Sequence, residues 1–110
     1  MNERDIFHIC RMKHEIDFIQ KNITIAGKDA FMNDEVLQHA LSMSLITLGE
    51  CANHLSDGFK EQYSEIEWVQ IIAVRNIAAH GYWQLNMEQL WQAVEDDVPG
   101  LAAFFTQIHL

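Results

Sequence analysis

A guanidinium, a carboxamide, an imidazole and a phenol fall within one short segment of this chain, Arg75-Asn76-Ile77-Ala78-Ala79-His80-Gly81-Tyr82. These groups suit phosphodiester cleavage without a metal. That reaction needs one group to take the proton from a ribose 2′-hydroxyl and one to protonate the leaving 5′-oxygen. A third must stabilise the charge that builds on phosphorus. An imidazole titrates near neutrality and can do either proton job. A guanidinium offers a forked donor to the phosphoryl oxygens. The expected products are a 2′,3′-cyclic phosphate and a free 5′-hydroxyl. Spacing sets a condition on this reading. At about 100° per residue, Arg75 and Tyr82 share one helix face and Asn76 and His80 share another. Arg75 and His80 diverge by roughly 140° on an unbroken helix. They converge on one phosphate if the helix ends near His80, where Gly81 is a natural stop, or if two copies of the segment meet across a dimer axis. Taken alone the pattern is weak, because a histidine after an apolar run is more often a structural side chain or a cap.

The charge distribution singles out Arg75 independently. The chain has 110 residues and a net charge of −9, which argues against coating nucleic acid or anionic membrane through broad electrostatics. Six of the seven basic residues lie in the first 60 positions: Arg4, Arg11, Lys13, Lys21, Lys28 and Lys60. From Glu61 onward there are seven acids and one base, Arg75, which follows the apolar run Val69-Gln70-Ile71-Ile72-Ala73-Val74. A guanidinium there must find an anion, a carbonyl cluster or solvent, because burying it unpaired is costly. The plain reading is an internal salt bridge, for example to Glu50. The sharper one is a fixed positive point suited to one phosphate.

Helices must position these groups, since the periodicity is helical nearly throughout. The spacing predicts a first helix from about Glu3 to Asn22, with Ile9, Met12, Ile16, Ile19 and Ile23 as its core stripe. Ile6, Phe7, Cys10 and Phe18 widen that stripe, and Gly27 breaks the pattern before a short turn around Asp29 to Met32. A second helix is expected after Asn33 as N-cap, with the stripe Leu37, Leu41, Leu45, Leu48, Ala52 and Leu55. Ser56-Asp57-Gly58 should end it. A third helix is expected over Glu65 to Ala79. A fourth starts after Asn86, with Gln89 completing a capping box, and Pro99 should kink it. Its stripe is Met87, Leu90, Val94, Val98, Leu101, Phe105 and Ile108. The fold class is therefore all-α, an antiparallel up-and-down bundle of four long helices forming one domain over residues 1–110. The generous apolar supply predicts a homodimer that buries one broad helical face.

Arg75-Asn76-(three residues)-His80-(one residue)-Tyr82 resembles the R-N-x-x-x-H-x-Y signature of HEPN-domain proteins, and most closely the HepT-like toxins. Leu48-Gly49-Glu50-Cys51-Ala52 resembles that family's Ile-Gly-Glu-Ala segment. Ile66-Glu67-Trp68 resembles the Ile-Pro-Trp that opens its motif helix, here without the proline. Leu90-Trp91 and Asp97-Val98-Pro99-Gly100-Leu101 resemble its last helix. These matches run in family order from about Asp34 to the C-terminus. The resemblance implies a four- to six-helix bundle that dimerises, with Arg75 and His80 facing a shared ribonuclease cleft and Asn76 orienting them. It implies a minimal nucleotidyltransferase antitoxin as partner, which can transfer AMP to the motif tyrosine, here Tyr82. Adenylylation would set bulk and negative charge beside Arg75 and block RNA phosphate. Glu50 is the candidate for holding Arg75 in place. RNA is the implied substrate.

Other features carry less. His8, His14, His39, His54, His80 and His109 lie mostly on separate elements, without the spacing of a zinc site, so neither a metal nor a cofactor is expected. Cys10 and Cys51 read as buried free thiols. Charges interrupt every apolar stretch of the N-terminus, and no apolar run is long enough to span a membrane, so the expected compartment is the cytoplasm. Two further readings compete with a nuclease: a catalytically silent module that binds a nucleotide or protein, and a chain that serves chiefly as its partner's modification substrate.

Overall fold

The computed structural model describes residues 1–79 and 86–108. His80, Tyr82 and His109 lie outside the described residues. Six helices follow in order: α1 (Glu3–Met32), α2 (Glu35–His54), α3 (Asp57–Gln62), α4 (Trp68–Ala79), α5 (Met87–Asp96) and α6 (Val98–Thr106). No strand occurs among the described residues. The all-α expectation holds, with more and shorter pieces than four long helices.

α1 begins where the Asn2 side chain accepts a hydrogen bond from the Asp5 backbone N–H at 2.7 Å, and Glu3 and Asp5 complement the helix dipole in the first turn. Ile9, Met12, Ile16 and Ile19 are buried, as their spacing predicts. Ile6, Phe7, Cys10 and Phe18 do not join them and lie exposed. Among the described residues the widened stripe is therefore not covered, and Cys10 is not the buried thiol its apolar surroundings suggested. Cys51 is buried, and burial pushes its thiol pKa up. Helical residues resume beyond Gly27, whose backbone (φ 74°, ψ 172°) turns the chain in a way that only glycine adopts without strain. The resumed turn buries Phe31 against Trp91 of α5, ring centroids 5.3 Å apart. Lys28 there pairs with Glu88 of α5 at 2.9 Å.

Asp34, not Asn33, caps α2, its side chain accepting from the Leu37 N–H at 3.1 Å. Asn33 instead closes α1, donating from Nδ2 to the Asp29 carbonyl at 2.8 Å. Two adjacent residues able to cap leave a choice that pattern alone does not make. Ser56 likewise starts a helix as well as following one, because its Oγ accepts from the Phe59 N–H at 3.2 Å and opens α3. Ser56 is in turn held by Asp5, which is only 2 % exposed and accepts from the Ser56 N–H at 2.8 Å and the Ser56 Oγ–H at 2.6 Å. This ties the start of α1 to the end of α2. Asp5→Ala strands both donors in a buried place and is expected to cost about 1.5–3 kcal/mol, read by thermal unfolding. Asp5→Asn, which keeps an acceptor and a donor there, should cost less.

α4 starts at Trp68 and not at Glu65. The Trp68 indole N–H folds back to the Tyr63 carbonyl at 3.1 Å, and residues 63–67 make tight turns instead of helix. Trp68 then packs edge-on against Phe59 and Phe104, with centroids 5.9 and 6.1 Å away. Asn86 caps α5 as expected, but it accepts from the Glu88 N–H at 2.9 Å and not from that of Gln89. Pro99 acts two residues upstream of itself. It has no N–H for the Glu95 carbonyl, so the helix breaks at Asp97 into α5 and α6, and Pro99 sits in the first turn of α6. Leu90, Val94, Val98, Leu101, Phe105 and Ile108 are buried across that break. α2 is the central helix, packed on α1 along one side and on α4 along the other, while α5 and α6 cover α1. Among the described residues no helix is long and apolar enough to cross a membrane.

Candidate active site

Arg75 reaches its position because α2 and α4 touch backbone to backbone. Gly49 makes this possible. A methyl group there would overlap the Arg75 Cβ, and would also stand 3.0 Å from its Cγ and 3.2 Å from the Ile71 carbonyl oxygen. Ala40, Ser44 and Cys51 are other small residues of α2, but the close approach to Arg75 is at Gly49. The useful signal was its place directly before the only acid in the second half of α2.

Glu50, the next residue, pairs with Arg75 through Oε1 and the guanidinium Nε. The contact is an ion pair and not a linear hydrogen bond. On its other side the guanidinium donates from Nη1 to the Asn76 Oδ1 at 2.8 Å. A guanidinium has five N–H donors. The Nε side faces Glu50, and one Nη1 proton is taken by Asn76. Among the described residues no other partner holds the remaining Nη1 and Nη2 protons, which form a fork of the shape that grips two phosphoryl oxygens. Arg75 is about one-third exposed, its side chain at 36 % and that of Glu50 at 39 %. The charge is therefore held in a fixed orientation yet open to solvent. Arg75, Asn76 and Glu50 thus come together. His80 and Tyr82 fall outside the described residues.

His54 joins this group from one turn along α2, its Nε2 lying 3.9 Å from the second Glu50 oxygen. Sequence reasoning missed it, because the i, i+4 spacing of Glu50 and His54 is common on solvent-facing helices. The open groove of about 420 Å³ at the other end of α4 has the opposite character. It is lined by Glu65, Glu67, Asp96 and Asp97, and burial together with Asp96 and Glu67 raises the Asp97 pKa. Four carboxylates repel a phosphate, so that groove does not compete with Arg75 for one.

Comparison with known proteins gives the family of the chain. The family model "Ribonuclease HepT-like" matches residues 12–108. The chain is 25 % identical over 103 residues to "Putative RNase MJ1380" of Methanocaldococcus jannaschii, covering 90 % of this chain and 92 % of that protein. It is 28 % identical over 78 residues to "Probable ribonuclease HepT" of Thermococcus cleftensis, covering 71 % of each. It is 32 % identical over 88 residues to "Putative RNase MJ0127" of Methanocaldococcus jannaschii, covering 80 % of this chain and 69 % of that protein. No solved structure gives a significant match. The match spans every helix of the bundle from within α1 to the end of α6, with the Gly49, Glu50 and Arg75 contact inside it: the chain belongs to the HepT-like ribonuclease family.

Proposed function

We propose that this chain is a metal-independent endoribonuclease and the toxin of a toxin–antitoxin pair. The supporting observation is the Arg75 side chain, held by Glu50 and Asn76 and about one-third exposed, in a chain of the HepT-like family. Arg75 stabilises the charge on phosphorus and His80 carries the proton transfer. The 2′-oxygen bonds to phosphorus as its proton leaves, and the bond to the 5′-oxygen breaks as that oxygen gains a proton. The products are a 2′,3′-cyclic phosphate and a 5′-hydroxyl. A homodimer supplies two such pairs in one cleft. In support, Phe7, Cys10, His14 and Phe18 recur every three or four residues along α1 and are all exposed. That is a semi-apolar line which a second copy would cover. The protein acts in the cytoplasm.

Purified protein should cut single-stranded RNA in the presence of EDTA and leave cyclic phosphate ends. Intact RNA after prolonged incubation would point to the silent-module reading, which the overall charge of −9 favours. The controlling partner in this reading is a minimal nucleotidyltransferase that transfers AMP to Tyr82. Co-expression with such an enzyme should add the mass of an adenylyl group to the peptide containing Tyr82 and silence cleavage. Modification at another residue, or none, removes Tyr82 from the mechanism.

A further inference from the structure

The polar cluster around Glu50 continues past His54 to the first turn of α1. The Arg4 Nη2 lies 3.4 Å from the His54 Nδ1, across 50 positions of sequence. Its N–H donates, so Nδ1 is the acceptor and the His54 ring proton sits on Nε2, facing Glu50. The His8 ring lies nearly parallel to that of His54, with centroids 5.3 Å apart and planes at 15°. A line of side chains therefore runs from Arg75 on α4, through Glu50 and His54 on α2, to Arg4 on α1. A guanidinium stands at each end.

The charges along this line do not balance at the Arg4 end. Arg11, Lys28 and Arg75 each have a carboxylate partner, in Glu15, Glu88 and Glu50. Among the described residues Arg4 has no carboxylate partner and meets the His54 Nδ1 instead. Its neighbour Asp5 gives both carboxylate oxygens to Ser56. Arg4 also stands in the first turn of α1, where the dipole of its own helix disfavours a cation. It is exposed, and the His54 side chain is half exposed.

We propose that Arg4 and His54 form a second phosphate-binding point, which anchors the RNA strand beside the phosphodiester held by Arg75. This rests on the ribonuclease reading above for its ligand. A phosphate there takes the Arg4 N–H donors that now face His54. His54, half exposed beside Arg4, lines the same point. The groups on this ring are Arg4 and His8 from α1 and Glu50 from α2, with Arg75 beyond Glu50 on α4. Lys60 of α3 stands close by, its Nζ at the Asn53 carbonyl. Burial, His54 and Arg4 together lower the His8 pKa, against a smaller opposing effect of Asp5.

The test is binding of a fluorescent 2′-O-methyl RNA strand, which cannot be cleaved, measured by anisotropy over a range of salt. Each phosphate contact adds about −0.7 to the slope of log K against log [salt] for a single strand. Arg4→Gln should make the slope shallower by about 0.7, and Arg4→Lys should restore it. His54→Ala should weaken binding at constant pH, because Arg4 loses the side chain that positions it. An unchanged slope in Arg4→Gln overturns the proposal, as does absence of binding by the wild type. A lower melting temperature with an unchanged slope would reduce Arg4 to a stabiliser of the α2 C-terminus. If the wild type binds with this Arg4 dependence but leaves ordinary RNA intact, the nuclease reading fails and the anchor stands. If it cleaves RNA and the slope ignores Arg4, the reverse holds.

Discussion

Arg75→Ala should lower RNA cleavage by about 100- to 1,000-fold while leaving the protein folded. The magnitude is that of losing one preorganised donor to an oxyanion, roughly 2.7–4 kcal/mol of transition-state stabilisation. The folded state should tolerate the change, because the Arg75–Glu50 pair is more than one-third exposed and such pairs contribute about 0–1 kcal/mol. Circular dichroism of the variant should match the wild type, and its cleavage rate should not. Arg75→Lys is the sharper comparison. An ammonium can sit near Glu50, but it cannot hold Glu50 and Asn76 while presenting a planar fork to phosphate. It should fail nearly as badly as alanine. A lysine variant with wild-type activity would mean that charge alone is used, and the orientation by Glu50 and Asn76 would lose its meaning.

Gly49→Ala should both destabilise the fold and reduce cleavage. In most helix interiors this exchange stabilises by up to about 1 kcal/mol. Here the new methyl group meets the Arg75 Cβ and the Ile71 carbonyl, which are backbone-bound and cannot swing aside. Overpacking of this kind costs about 1–3 kcal/mol, which at this chain length means several degrees of melting temperature. α4 must move outward to relieve it, and Arg75 moves with it. Gly100→Ala is the control. It lies in α6 with no atom within 4 Å of the new methyl group, so it should stabilise or do nothing. If both variants behave alike, the close approach of α2 and α4 is not what places Arg75.

Local pattern made much of this legible. The core stripes of α1, α2 and α5–α6 follow from spacing, because burial of one helix face repeats every three or four residues. Arg75 stood out because charge and apolar context conflict there, and its pairing with Glu50 was foreseen as the plain option. Caps were legible only where one candidate was present, as at Asn86, and not where Asn33 and Asp34 compete. The start of α4 was misplaced because the Trp68 indole bond to Tyr63 is a side-chain event with no periodic signature. Cys10 and Phe7 read as core because an apolar residue looks the same whether its partner is in this chain or in none. The meeting of Arg4, His8 and His54 depends on the packing of α1 against α2, and nothing local to either helix announces it.

The twist at Gly27 has a remote effect. It lets the final turn of α1 swing onto α5, where Phe31 meets Trp91 and Lys28 meets Glu88. In the chain, α5 resumes directly after residues 80–85, which include His80 and Tyr82. One achiral residue, distant in sequence from Arg75, thereby moors the downstream bank of the stretch that bears the imidazole and the phenol. A side chain at position 27 would find empty space but the wrong backbone handedness. Its damage would surface at α5, as a loosened tether and not as a hole in the core.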